Sequence, residues 1–332
     1  MFHSSLALST FLAALVALPL TLQQCEGDDD DTPGATPNPM VGDDTTVVVF
    51  EGVHQHYGSE NTRTVSAQVE FPAEEWLYQT ILLHYTLSCP DDGCDPWDRL
   101  AYVTAIDEEG GASVLSVEVG RFVTPYGVGG SWTLDVTDLR PILSGTRTIE
   151  SFIDTWVESG WLVDVSFEFI GGVPERRALE IIPLWSGYYA YGNPDDPIED
   201  HLTPLDIQLP EHFGDAALRV LATGHGQGNT ENCAEFCAKT HTLSAGTASD
   251  DQVVWRDDCA TSGVPGQEGT FWYSRAGWCP GDDVVPRFWE LGDTLQAGTI
   301  TQFDYDLEPY INYESTSSPP YLVITSQLIF FE

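Results

Sequence analysis

Two short cysteine loops in this chain each carry a carboxylate. In NCAEFCAKTHT (232–242), Glu235 stands between Cys233 and Cys237, and in CPDDGCDPWDRLAYV (89–103), Asp98 follows Cys94 by four residues. A third pair, Cys259 and Cys279, frames the segment ending in SRAGWCPG. Six cysteines in three local groups suggest three staples holding acidic residues on loops. Trp97 and Arg99 flank Asp98: apolar burial raises a carboxyl pKa and a neighbouring guanidinium lowers it. A base that activates water needs that balance, whereas a plain Asp98–Arg99 salt bridge would make the loop structural. Arg275, in RAGWCPG, can hold a carboxylate ionised or bind an oxyanion.

Two metal readings compete with this. Cys233 and Cys237 with His241 could bind zinc, but no second Cys/His pair follows at finger spacing. His54, His56, His225 and His241 invite copper, but the only methionines are Met1 and Met40, outside the folded region. The expectation is therefore no metal and no cofactor, with His225 in TGHGQGN contacting substrate. G-x-S-x-G, P-loop and dinucleotide motifs are absent from the sequence.

The scaffold that must position these residues reads as all-β. In WLVDVSFEFI (161–170), apolar Val163, Val165, Phe167 and Phe169 alternate with Asp164, Ser166 and Glu168, the period of a strand with one buried face. TTVVVFEG, VSAQVEF, TILLHYTL, SVLSVEVGRFV, WTLDVTD, ALEIIPLW, PLDIQL, ALRVLAT, TITQFDYDL and YLVITSQLIFF read likewise, bounded by Gly, Pro and Asp clusters. Short helical turns are expected around DLRPILSG and EFCAKT. Length favours two domains, with the break at GGVPERR (171–177): residues 45–173 and 174–332.

Composition narrows the partners. Of 332 residues, 52 are acidic and 12 basic, Lys239 being the only lysine; a net charge of -40 repels phosphate backbones and excludes nucleic acid as a partner. Such an excess destabilises the fold unless salt screens it, which suggests a saline habitat. The apolar run 5–22 reads as a secretory signal, residues 1–24, and export suits six paired cysteines. Cys25 then begins an acidic, Pro-rich linker (25–44) expected to be disordered. Its position is that of a bacterial lipoprotein's lipidated cysteine, against a signal cleaved elsewhere. The chain is expected to be secreted or held at the cell surface, with a lipid anchor in the second case, and to act as a monomer.

The chain resembles the peptide-N-glycosidase F family. The carriers are CDPWDR (94–99), VGRFVTPYGVG (119–129), LDVTDLRPILSG (134–145), DTWVESG (154–160), NCAEFC (232–237), THT (240–242) and RAGWCPG (275–281). The resemblance implies two side-by-side eight-stranded antiparallel jelly-roll-like sandwiches with the active site at their interface. It implies bridges Cys89–Cys94, Cys233–Cys237 and Cys259–Cys279. It implies hydrolysis of the amide between asparagine and the first N-acetylglucosamine of N-linked glycans on peptides or glycoproteins, without a metal. Asp98 corresponds to the primary catalytic aspartate and Glu235 to the second acid. The third acid, a glutamate in the family, is Asp154 here, one methylene shorter, and a tryptophan often found two residues before the Gly-His histidine is Thr223. Arg99, Arg275, Trp97, Trp156, Trp278 and His225 would line the substrate site. The alternatives are a glycan-binding protein without turnover on the same fold and a copper-dependent monooxygenase.

Overall fold

A computed structural model describes residues 40–108, 114–226, 233–312 and 320–332. The expected signal, most of the linker and the Cys25 attachment point lie outside these residues. The first half of the chain contains β1 (Met40–Val41), β2 (Thr45–Gln55), β3 (Thr64–Phe71), β4 (Trp76–Ser88), β5 (Leu100–Asp107), β6 (Leu115–Val123), β7 (Gly130–Asp135), β8 (Gly145–Ile153) and β9 (Trp161–Gly171). The second half contains β10 (Ala178–Ala190), β11 (Leu205–Gln208), β12 (Asp215–His225), β13 (Lys239–Ala245), β14 (Ala248–Val254), β15 (Asp282–Asp283), β16 (Arg287–Glu290), β17 (Ile300–Leu307) and β18 (Tyr321–Phe331).

Alternation decides how the strands face. β9 buries every second residue from Trp161 to Phe169, as its sequence period requires. Phe167 and Phe169 pack on Phe71 with ring centroids 5.1 and 5.7 Å apart, and emptying either position would cost about 3–5 kcal/mol. β2 departs from the pattern: its register with β9 shifts twice between Val48 and Val53, around Gly52 at φ 59°, a bulge a side chain would strain. β18 shows no alternation because β10 and β12 flank it and both faces are covered; every residue after Tyr321 is buried.

Four sheets result. In the first half, β1-β4-β9-β2, with β7 also on β4, faces β15-β6-β5-β8-β3; in the second, β10-β18-β12-β16 faces β11-β17-β13-β14. The expected all-β double sandwich is thus present, with two corrections. The first half carries nine strands of its own, because Met40 and Val41 pair in parallel with Trp76 and Leu77. Residues 40–44, assigned to the linker by composition, are fixed to the fold: Gly42 N donates to Leu77 O and Gly171 N to Asp44 Oδ1. Second, β15 comes from the second half but completes a first-half sheet, pairing Asp282 with Val123 and Asp283 with Phe122. Of the two expected helical turns, Thr137–Leu139 forms a 3-10 turn, while residues 233–237 form a turn without helix. The GGVPERR segment connects β9 to β10.

Between the halves lies a buried polar seam. Arg121 Nε and Nη2 donate to Glu118 at 2.6 and 2.7 Å. Arg121 Nη1 donates to Val323 O (2.7 Å) and Thr223 Oγ1 (3.1 Å), and the Thr325 hydroxyl donates to Glu118 Oε2 (2.9 Å). Arg219 donates to Glu118 O, Val119 O and Gln327 Oε1. Buried charges are tolerated when donors and acceptors are matched in this way.

Candidate active site

The loop between β4 and β5 is closed by the Cys89–Cys94 disulfide. Its anchor is Asp95, fully buried. The Asp95 carboxylate accepts from Trp97 N (3.0 Å), Arg99 Nε (2.8 Å) and the Thr155 hydroxyl (2.7 Å). Its backbone N donates to Gly160 O and its carbonyl accepts from Gly127 N. Arg99 is therefore held by Asp95, and the simple Asp98–Arg99 salt bridge does not form.

Asp98 instead faces Tyr126 and Arg275. Burial raises its pKa, opposed by the Arg275 charge, a hydrogen bond from the Tyr126 phenol and the Arg99 charge. The Arg275 charge favours the ionised form of Asp98, but desolvation is the larger effect. Tyr126, pushed up to about 12 mainly by burial, stays protonated and donates to Asp98, while its oxygen lies 3.3 Å from Thr270 Oγ1.

Glu235 sits on the turn closed by Cys233–Cys237. The turn presses on β12 at Gly224, where a Cβ would collide with Ala234 O. Ala276 N donates to Glu235 O (2.8 Å) and Gly224 N to Ala276 O (3.0 Å), locking turn, strand and the Arg275 segment together. Glu235 accepts from Arg275 Nε at 3.2 Å. Its pKa is pushed up to about 7, first by burial and further by the Asp98 charge, against the pull of Arg275 and a bond to Gly226.

Arg275 is 1% exposed. Besides Glu235, it donates to Tyr273 O (2.8 Å) and Thr270 O (3.0 Å), and its guanidinium lies 4.7 Å from the Trp278 ring centroid. Expected to bind substrate or an oxyanion, it is committed instead to protein partners and positions Glu235. Trp278 is likewise corrected: at 3% exposure, with its indole N–H donating to Gly224 O (2.7 Å), it forms no wall of an open site. It stacks on His225 at 5.2 Å. Burial, then Arg121 and Arg275, push His225 down to about 3, so the ring is neutral. His225 Nε2 lies 2.9 Å from Thr223 Oγ1, the hydroxyl that Arg121 also reaches.

Asp154 forms a second, more open centre. Its backbone N donates to Leu100 O, and Arg63 Nη1 lies 3.4 Å from its Oδ1. Burial raises its pKa against the Arg63 charge, a hydrogen bond from Trp156 and the Arg99 charge. Arg63 stacks over Trp156 (4.3 Å) and Tyr57 (4.9 Å). Arg99 acts on Asp98 and Asp154 alike, and Tyr321 feels both Asp154 and Glu235. The three acids thus border one region, in which Trp97 (57% exposed) and Trp156 (53%) stand open to solvent.

Sequence reasoning missed Asp95, Tyr126, Arg63 and Tyr321. Only Asp95 had a local signal, its i,i+4 spacing to Arg99. Exposed Phe236, Trp272 and Tyr273 around the Arg275 loop were also missed.

The metal readings find no ligand set. Cys233 and Cys237 are bonded to each other, and His241 Nδ1 lies 2.7 Å from the Tyr305 hydroxyl. His54 stacks on His56, with Nε2 2.7 Å from Ser159 O. Among the described residues, no three His, Cys, Asp or Glu side chains group to hold a metal, and no helix is long and apolar enough to cross a membrane. The third bridge, Cys259–Cys279, is formed.

Two family models match the chain: "Peptide-N-glycosidase F, N terminal" over residues 110–169 and "Peptide-N-glycosidase F, C terminal" over residues 195–329. Peptide-N(4)-(N-acetyl-beta-D-glucosaminyl)asparagine amidase F of Elizabethkingia miricola is 27% identical over 326 residues, covering 92% of this chain and 91% of the relative. The structure of PNGase F, described as a glycosylasparaginase from Flavobacterium meningosepticum, superposes with TM-score 0.77 at 26% identity, over 88% of this chain and 96% of that one. PNGF-II, at 18% identity, TM-score 0.70 and 86% and 65% coverage, shares the fold. The chain belongs to the peptide-N-glycosidase F family.

Proposed function

We propose that this protein hydrolyses the amide joining an asparagine side chain to the first N-acetylglucosamine of an N-linked glycan. The observation that carries the reading is the pair of desolvated carboxyls, Asp98 and Glu235, that both feel the Arg275 charge, with Glu235 accepting from Arg275 Nε at 3.2 Å. The name of the Elizabethkingia relative supports the substrate.

In this reading, water attacks the amide carbonyl carbon as Asp98 takes its proton. The C–N bond then breaks, and the proton held on Asp98 passes to the departing nitrogen. The peptide keeps an aspartate; the glycosylamine decays in water to free glycan and ammonia. Desolvation makes the ionised Asp98 a stronger base, and the Tyr126 phenol orients it. Glu235, titrating near neutrality, can donate or accept a hydrogen bond towards the water or the first sugar's polar groups. Arg275 acts through Glu235. Trp97 and Trp156 supply apolar walls for sugar C–H faces. The signal-like run and the three bridges support action outside the cytoplasm.

A peptide with one N-glycan, incubated with the protein with and without chelator, tests this. Loss of the glycan mass with Asn converted to Asp, unaffected by chelator, is the expected result. Glycan binding without conversion would make this a non-catalytic member of the family; conversion abolished by chelator would return a metal to the mechanism.

A further inference from the structure

A groove of about 230 Å³ runs along the junction of the two sandwiches. One wall is the outer face of β5 and β8, through Tyr102, Thr104 and Glu150; the other is β10 and β18, through Ser186, Tyr188 and Thr325. Its Tyr188 end is joined to the active-site region through ring contacts. The Tyr188 phenol hydrogen-bonds Tyr102 and, burial apart, feels the Asp154 carboxylate most strongly. The Tyr188 ring is 5.9 Å from that of Tyr321, which in turn stacks on His225 at 5.2 Å.

The lining combines hydroxyls, two carboxylates (Glu150 and the seam's Glu118) and two phenol rings. That mixture suits a sugar, whose C–H face lies on an aromatic ring while its hydroxyls exchange hydrogen bonds. β5 and β18 are interior strands with both edges already paired. They offer side chains rather than a free backbone edge; the edge strand in the wall, β10, is where an extended peptide could add as a strand, an occupant that varying peptide length at fixed glycan separates from a sugar. The volume lies below the 300–1,000 Å³ or so of a full ligand pocket, so it suits one or two sugars.

We propose that this groove binds the sugars of the glycan beyond the first two, so that the enzyme discriminates among N-glycans by the length of their core. The inference rests on the amidase reading. Ser186, exposed on β10, can be replaced without burying anything new: Ser186→Trp fills the groove and Tyr188→Ala removes one ring. Both are compared with wild type on one peptide carrying either chitobiose alone or chitobiose extended by the mannose core. The expected result is that each variant lowers kcat/KM on the longer glycan about 10-fold relative to the shorter. Equal effects on both substrates, or none on either, would overturn the proposal. So would an effect that follows peptide length at fixed glycan, which would give the groove to the peptide. If wild type hydrolyses neither substrate, the amidase reading fails and this inference with it; if it hydrolyses both, that reading stands whatever the variants do.

Discussion

The seam and the active site each contain a buried glutamate beside a buried arginine at the junction of the same two sandwiches. At the seam, Glu118 receives two bonds from Arg121 and a third from Thr325. At the site, Glu235 receives one from Arg275 at 3.2 Å and shares its surroundings with Asp98. Arg275 spends its other donors on the carbonyls of Thr270 and Tyr273. Identical residue types thus build a strut in one place and, in the other, a carboxyl that titrates near neutrality. The difference lies in how many donors reach the carboxylate and whether a second carboxylate is near.

The sharpest test of the site removes its base. Asp98→Asn should lower turnover about 100- to 10,000-fold while leaving the melting temperature equal or higher. Because the Asp98 pKa is raised in the fold, its ionisation works against folding above the ordinary carboxylate range. Near wild-type turnover on a glycopeptide would reject the assignment.

The complementary change at the seam should cost stability. Arg121→Leu leaves Glu118 buried without its cation, at about 3–5 kcal/mol. Denaturant titration reads this directly, and a loss below about 1 kcal/mol would break the comparison.

Asp154→Glu supplies, beside Arg63, the longer acid that the family resemblance implies for this position. A 1 Å difference in carboxylate placement can change rate on the order of 100-fold, and a rise in kcat on ordinary N-glycopeptides is expected. A fall would mean that the Arg63–Trp156 platform has been retuned around the shorter side chain.

Glu235→Gln separates the two glutamates by pH. With a folded pKa of about 7 against an ordinary 4.5, the benefit of keeping Glu235 protonated is complete below pH 4.5 and lost as pH rises to 7. Wild type should therefore lose on the order of 1–3 kcal/mol relative to Glu235→Gln across that window. Melting curves at pH 4.5 and 8 that shift in parallel for the two proteins would contradict it. The smallest effect belongs to neither region: with 52 acids against 12 bases, the melting temperature should rise by several degrees from low to molar NaCl through screening of surface repulsion.

What could be read from sequence was local. The alternation in β9 set its faces, and the cysteine spacings marked the loops that carry Asp98 and Glu235. What could not be read depends on partners far along the chain. Asp95 meets Thr155, Arg63 meets Asp154, and Arg121 meets Val323, across 60, 91 and 202 residues. Trp97 and Trp278 have equivalent local surroundings, each beside a cysteine loop and an arginine, yet one is open and the other enclosed. The residues packed over Trp278, His225 and Gly224 among them, belong to β12, which no local pattern brings to it. Met40 and Val41 looked like linker because their pairing with β4 adds only two residues to a sheet.

The short strand β15 bears on how the chain is made. Nascent proteins fold from the amino end as residues emerge, but the edge of β6 has no partner until Asp282 and Asp283 have been synthesised. Gly281 N and Val284 N close the same edge by donating to Val123 O and Arg121 O. Until then the first sandwich presents an open strand edge, the feature by which β proteins pair wrongly with one another. A polypeptide released before that point would leave a sandwich that is sticky rather than merely incomplete, because residues 281–284 are what close the β6 edge at Arg121, Phe122 and Val123.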